Sequence, residues 1–242
     1  MARIFIEQPL TSGASIALPE AQARHVAQVL RMAAGDEIVL FNGHGGEFLG
    51  RIAKLTRTHV EVELGAYRAG AEESPLHAIL VQAISRAERM DYTIQKAVEL
   101  GVHGIVPVIS ERSVVRLDQE RAANRVQRWQ AIAIGAAEQC GRTRIPRVEP
   151  IAALGNWLEA SRDEPCRLWF EPGAATSIAD LPAPSGTCFL IVGPEGGFAP
   201  GERALLGAHG ATAVSLGPRV LRTETVAVVA LALLQARFGD IS

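Results

Sequence analysis

Cysteine is scarce in this chain of 242 residues: Cys140, Cys166 and Cys188 are separated by long intervals and form no C-x-x-C pair. An odd, scattered set supports neither a disulfide framework nor a thiolate zinc site, and the three are expected as small buried residues. Long apolar runs are also missing. The longest, Val226 to Leu234, is about half the length a bilayer span requires. Arg3 and Glu7 stand where a signal peptide needs apolar residues, so the expectation is a cytoplasmic protein with no membrane partner. Lysine is nearly absent, with only Lys54 and Lys96, and every other basic side chain is Arg. The familiar catalytic strings are absent as well: there is no G-x-G-x-x-G after a strand, no G-x-x-x-x-G-K-[ST], no G-x-S-x-G and no H-E-x-x-H. His25, His44, His59, His77, His103 and His209 are too dispersed to look like ligands, so no metal is expected.

The charge of one sign that a nucleic-acid coat needs is lacking too, since 24 basic residues face 26 acidic ones for a net charge of -2. The average conceals a gradient. Arg112, Arg116, Arg121, Arg125, Arg128, Arg142, Arg144 and Arg147 are opposed in that stretch only by Glu111, Asp118, Glu120 and Glu138, which leaves a local basic belt.

With 48% hydrophobic residues the chain can fill a real core, which rules out disorder. Residues 1 to about 68 read as a small antiparallel barrel or sheet with one helix. The stretch Asp36 to Phe41 and the run Val60, Val62, Leu64, alternating with His59, Glu61 and Glu63, have period two, and Asn42-Gly43 begins a Gly-rich turn before Glu47 to Leu55. Pro19 and Glu20 open a helix from Ala21 to Arg31, in which Val26, Val29 and Leu30 form an apolar stripe and Arg24, His25 and Arg31 are free to face a ligand. Arg68 to Pro75 is small, polar and closed by proline, as an interdomain linker would be.

Beyond it, β-branched runs alternate with helices. The pattern predicts strands His77 to Ile84, Gly104 to Ile109, Arg167 to Glu171, Thr187 to Val192 and Ala213 to Leu216. Between and after them it predicts helices Glu88 to Leu100, Asp118 to Gln139, Ala153 to Ala160, Pro200 to His209 and Thr223 to Phe238. Strands separated by helices imply an α/β domain with a mostly parallel sheet. Gly101 is placed to cap the first of these helices, and Thr223 to provide an N-cap hydroxyl for the last. That last helix is apolar nearly all round, and a homodimer is the simplest way to cover it. In the helix from Asp118, Ala122, Val126, Trp129, Ala133 and Ala136 make an inward stripe, while Arg121, Arg125 and Arg128 meet either solvent or RNA.

Three loops that follow strands crowd the last third of the chain: Phe170-Glu171-Pro172-Gly173, Gly193-Pro194-Glu195-Gly196-Gly197-Phe198 and Leu216-Gly-Pro-Arg-Val-Leu-Arg-Thr-Glu-Thr225. Loops leaving the carboxyl ends of neighbouring parallel strands line one crevice, which is where ligands bind in such folds. At these strings the chain resembles the SPOUT methyltransferases, and more narrowly the RsmE-type 16S ribosomal RNA uracil-N3-methyltransferases. The resemblance extends through Lys96-Ala-Val-Glu-Leu-Gly-Val102, Glu111-Arg-Ser113, Ala136 to Arg144, Arg24-His25 and Val29 to Met32. Two departures stand out: Arg86-Ala87-Glu88-Arg89 occupies a presumed turn where the family often has Lys or Ser-Arg followed by Gly, and Val226 replaces a small or hydroxylic residue.

The resemblance implies a PUA-like β-barrel over residues 1–70 and a SPOUT α/β domain with a C-terminal trefoil knot over 75–242. It implies a cytoplasmic homodimer that methylates N3 of U1498 in 16S rRNA of the small ribosomal subunit. S-adenosylmethionine would be held by Phe170, Glu171, Ile191, Gly193, Pro194, Glu195, Gly196, Gly197, Leu216, Gly217, Pro218, Leu221, Arg222 and Thr223. Uracil N3 must be unpaired and must lose a proton before it attacks. Arg222 is the candidate to stabilise the resulting charge, with Glu195 or Glu224 as proton acceptor. Arg24, His25, Arg31, Arg112, Arg142 and Arg144 are the expected RNA contacts. Competing readings are a nucleotide-dependent oxidoreductase, which lacks its glycine fingerprint here, a noncatalytic ribosome-assembly factor, and a methyltransferase for another nucleotide.

Overall fold

A computed structural model describes residues 1–113 and 119–242; the Arg116 and Asp118 of the basic belt lie outside the described residues. The chain divides into two compact units. One comprises Met1–Glu73 and Ala137–Ile145, the other Ser74–Ala136 and Pro146–Ser242.

The first unit contains β1 (Ala2–Phe5), β2 (Ser15–Ala17), α1 (Glu20–Arg24), β3 (Glu37–Phe41), β4 (Glu47–Leu55) and β5 (Val60–Arg68), arranged as a five-stranded sheet in the order β1-β3-β4-β5-β2. The sheet is mixed and not purely antiparallel. β1 runs parallel to β3, because the long excursion through β2 and α1 lets the chain re-enter in the same direction, while the hairpin-linked pairs are antiparallel. Alternation puts Ile38, Leu40, Ile52, Val60, Val62 and Leu64 in one core with Ile4, Ile6, Leu18, Ala23 and Val26. The helix expected from Ala21 to Arg31 does not run uniformly. α1 gives way to a π-helical turn, His25–Val29, and Arg31 adopts a left-handed φ of 53°. A wide turn followed by a left-handed residue ends the helix without glycine.

The second unit is built on an eight-stranded sheet comprising β6 (Ala78–Ala83), β7 (Gly104–Ile109), β8 (Arg147–Val148), β9 (Ala152–Ala153), β10 (Cys166–Phe170), β11 (Thr176–Ser177), β12 (Cys188–Val192) and β13 (Thr212–Ser215). Its order is β11-β13-β10-β12-β6-β7-β8, with β9 also on β7. Every pairing is parallel, as the alternation with helices requires. The two-residue strands β8, β9 and β11 are too short to leave a periodic signal in sequence. The helices are α2 (Ala87–Glu99), α3 (Gln119–Cys140), α4 (Leu154–Ala160), α5 (Pro200–Ala208) and α6 (Thr223–Phe238). Gly101 follows α2 with a φ of +77°, the left-handed cap expected of it. On α3, Trp129, Ala133 and Ala136 of the inward stripe are buried and Ala122 and Val126 are half-buried. One face of the sheet buries Val81, Val106, Val108, Trp169, Phe189 and Ile191 with Trp157 and Leu158 of α4 and Leu206 of α5. α6 packs against α2 and against β12 and β6.

Two sequence expectations fail here. Cys140 is exposed at the end of α3 and Cys166 is half-buried, so of the three cysteines Cys188 alone is buried as expected; Cys166 and Cys188 are moreover register partners on β10 and β12 with their sulfurs 3.1 Å apart. Parallel pairing erases a separation in sequence. Thr223 is not the N-cap of α6 either. Arg222 occupies that position in extended conformation without a side-chain cap, and the Thr223 hydroxyl is directed elsewhere.

Candidate active site

Strand order explains the site. β13, β10 and β12 are adjacent, so the loops leaving Ser215, Phe170 and Val192 open side by side. They enclose one cleft of about 570 Å³, walled by Phe170–Pro172, Val192–Phe198, Leu216–Gly217 and Arg219–Thr223, with Arg89, Arg203, Val214 and Val226 completing it. Of the residues expected to hold a cofactor, Phe170, Glu171, Gly193, Pro194, Glu195, Gly196, Gly197, Leu216, Gly217, Leu221, Arg222 and Thr223 are on the wall, and Ile191 and Pro218 are not. Strand side chains alternate, so Ile191 goes wholly into the core while Val192 takes the place at the cleft. Pro218 lies exposed beside Gly217, whose φ of +101° turns the loop.

Buried hydrogen bonds fix the loops. Thr223 donates its hydroxyl to the Gly193 carbonyl at 2.7 Å and accepts from Gln82 Nε2 at 2.9 Å, which ties α6, the β12 loop and β6 together. A Cβ added at Gly193 would stand 3.3 Å from the Phe198 ring, so a side chain there would require that ring to give by a few tenths of an ångström. Arg112 donates to the Gly196 carbonyl at 2.9 Å. Glu202, in the first turn of α5, accepts from the Ala199 N–H and from the Glu111 N–H, both at 2.9 Å. The segment after β7 is therefore strapped to the second loop.

The charges are paired in an order that spacing along the chain concealed. Arg89, in the first turn of α2, donates to Glu195 Oε1 at 3.2 Å and lies 3.7 Å from Glu224 Oε1. The Arg86 N–H donates to the same Glu195 oxygen at 3.1 Å. Glu195 Oε2 and Glu224 Oε2 are buried and have no hydrogen-bond partner among the described residues. Arg203 pairs with Glu171 at 2.9 Å on the far wall. Arg222 is exposed at the cleft and makes no ion pair among the described residues, so Glu224 serves Arg89 and not, as its neighbour in sequence, Arg222.

Sequence reasoning missed Arg89 and Arg203 as site residues, along with Gln82. The signal for Arg89 was available: the Arg86-to-Arg89 segment is the N-cap and first turn of a helix, not a turn between elements, and its position three residues after the cap aims Arg89 along the axis toward the β12 loop.

The expected RNA contacts separate by environment. Arg144 is exposed in the first unit, next to the His44 bridge. Arg142 is not available in the same way: its guanidinium is paired with Glu73, with Nε 3.3 Å from Glu73 Oε1, and both side chains are largely buried. Arg112 is exposed but engaged with Gly196. Arg24, His25 and Arg31 are all exposed, with Arg24 paired to Glu20 one turn earlier. Lys96 and Glu99 pair with one another at 2.8 Å on α2, which is a helix-surface role. Among the described residues no group of His, Cys, Asp and Glu is suited to a metal ion, and no helix is long and apolar enough to cross a membrane.

Comparison with known proteins agrees with the geometry. Residues 72–235 match the model of the RNA methyltransferase domain, and residues 18–65 match that of the RNA methyltransferase PUA domain. The chain is 34% identical over 238 residues to ribosomal RNA small subunit methyltransferase E of Buchnera aphidicola subsp. Acyrthosiphon pisum, covering 98% of this chain and 94% of that one. The chain belongs to the ribosomal RNA small subunit methyltransferase E family. A crystal structure of the Neisseria gonorrhoeae member bound to S-adenosyl methionine is 40% identical, with a TM-score of 0.94 and complete coverage of both chains. A putative methyltransferase from Legionella pneumophila, in complex with the bound cofactor SAM, is likewise 40% identical at a TM-score of 0.95, covering 99% of this chain and 98% of that one. In this chain the RNA methyltransferase domain follows the PUA domain.

Proposed function

We propose that this protein transfers a methyl group from S-adenosylmethionine to N3 of U1498 in the 16S rRNA of the small ribosomal subunit, and that it works as a cytoplasmic homodimer. The observation that carries the reading is the convergence of three loops on one cleft. The walls suit the donor. Phe170, Val192, Val214, Leu216 and Leu221 offer apolar contact for adenine, Gly193, Gly196 and Gly217 let a ligand reach the backbone, and the orphaned oxygens of Glu195 and Glu224 complement hydroxyl or cationic groups.

When bound, S-adenosylmethionine supplies a methyl group already activated by its sulfonium. The protein's own work is to orient the acceptor, exclude water and manage a proton. Arg222, free at the mouth of the cleft, is placed to bind a uracil carbonyl and to stabilise the charge that develops as N3 loses its proton. Glu195 and Glu224, each with an oxygen lacking a partner, are the proton acceptors on offer. Residues 1–70 serve as a PUA-like barrel that grips RNA through Arg24, His25 and Arg31, joined by Arg144 from the segment 137–145 that belongs to the same compact unit, and 75–242 form the catalytic domain, with its C-terminal segment threaded as a trefoil knot. Tyr92 on α2 and Leu233 on α6 are exposed apolar positions on two helices that pack together, and a second copy would cover them. The test is to incubate the protein with labelled S-adenosylmethionine and undermethylated small subunits and to locate the modified atom by mass spectrometry. Label on N3 of U1498 is the expected result; label on carbon or on a ribose oxygen overturns it.

A further inference from the structure

The cleft contains a charge arrangement that the reaction as stated does not assign. Two carboxylates from different elements, Glu195 of the β12 loop and Glu224 of α6, meet on one guanidinium, Arg89, which belongs to a third element and lines the cleft itself. Their side chains are 20% and 17% exposed, so solvent does little to screen them from one another. We infer that Arg89 is a positioning residue that joins Glu195 and Glu224 into a single proton-accepting unit of net charge one minus.

The argument is one of charge balance. Two carboxylates sharing a partly buried site repel one another, and a cation lying between them favours the charged form of both. Removing Arg89 leaves that repulsion uncompensated and favours a proton on one of the two, and a protonated carboxyl is a poor acceptor for another. Arg89 lies against both, and each carboxylate keeps one oxygen with no hydrogen-bond partner among the described residues. The proton released from N3 can then pass to either carboxylate; the N–H bond breaks, an O–H bond forms, and the cluster goes from one minus to neutral. Among the described residues the surroundings do not supply a substitute cation. Of the neighbouring charges, Arg112 is committed to the Gly196 carbonyl and Arg203 to Glu171, Arg86 presents its backbone N–H to Glu195, and Arg222 has no ion pair with Glu224. Glu88 on α2 is exposed, and Asp91 is paired with Arg128 of α3.

This inference rests on the proposed transfer to a nitrogen that must lose a proton. The experiment measures turnover against pH on undermethylated small subunits, with S-adenosylmethionine affinity measured separately by calorimetry. Arg89→Met should lower kcat at neutral pH on the order of tenfold to a hundredfold and move the acid limb of the profile upward by about one unit. Its affinity for S-adenosylmethionine should change far less. Arg89→Lys, which keeps the cation without the fork, should retain the limb near its original position. The double variant Arg89→Met with Glu224→Gln, which restores a net charge of one minus, should return the limb toward that of the parent. An unshifted limb in Arg89→Met, or a loss of affinity equal to the loss of kcat, overturns the inference. If Arg89→Met does not fold, the same profile on Arg89→Gln decides. A parent protein that labels another atom sinks the N3 reading instead, so the two failures are distinguishable.

Discussion

Thr223 gives its hydroxyl proton to the carbonyl of Gly193 and takes one from Gln82, so a single buried side chain holds the start of α6 against the loop that leaves β12. Removing that hydroxyl would leave a partly buried carbonyl and a buried amide short of a partner. Thr223→Ala should therefore lose about 1–3 kcal/mol of stability and weaken S-adenosylmethionine binding, while Thr223→Ser keeps both. Thermal unfolding and calorimetry on the two variants check this. Equal behaviour of Ala and Ser would remove the hydroxyl from the account.

Arg222 is exposed and makes no ion pair among the described residues, so its removal should cost the fold little. Arg222→Ala is expected to keep stability within about 0.5 kcal/mol while turnover falls on the order of a hundredfold to a thousandfold, with a much smaller change in cofactor affinity. Comparable losses in turnover and affinity would transfer this residue to the binding role.

Glu138 is partly buried in the first unit. Burial pushes its carboxyl above the usual glutamate range, against the pull of the Phe5 N–H at 2.8 Å and the charge of His25. A carboxyl whose folded pKa exceeds its unfolded one binds more protons in the folded state. Its contribution therefore favours folding in acid and is lost as pH rises through the raised value. Glu138→Gln preserves an acceptor for Phe5 without the charge. Urea unfolding from about pH 4 to about pH 7 should show less decline for the variant, and at neutral pH it should be at least as stable as the parent. A variant less stable than the parent at every pH contradicts this.

Arg142 and Arg144 differ in kind despite being two residues apart. Breaking the Arg142–Glu73 pair by Arg142→Ala should destabilise the protein by about 2 kcal/mol, between the values for surface and fully buried pairs. Arg144→Ala should leave stability unchanged and reduce the salt slope of RNA binding by about one. Denaturation curves and binding titrations across salt concentrations separate the two roles.

The hydrophobic rhythm of the chain was sufficient to predict the large elements of the sheet domain. The runs around Leu80, Val106 and Leu190 are too apolar to be anything but core, Val226 to Leu234 buries Ala227, Ala230, Leu231 and Leu234 while leaving Leu233 exposed, and Gly101 marks its helix end where a left-handed residue belongs. The three loops were legible because glycine and proline punctuate them. What stayed hidden depends on proximity in space. Nothing in the spacing of Arg89, Glu195 and Glu224 says that one guanidinium serves both acids, and nothing local to Arg142 announces Glu73. Cys166 and Cys188 look isolated until β10 and β12 are laid in register. The parallel pairing of β1 with β3 was missed for the same reason, since strand direction follows from the path of the chain and not from period-two alternation.

One consequence concerns biosynthesis. Leu216 to Thr223 form the third wall, and α6 behind them is latched by the fully buried Gln235, which donates to the Leu100 carbonyl at 2.9 Å and accepts from Ser74 at 2.5 Å. Domains acquire structure in the order in which the ribosome releases them. A nascent chain arrested before Gln235 would carry the residues of all three walls without the latch that holds α6 behind the third, so the pocket is secured only once Gln235 has emerged.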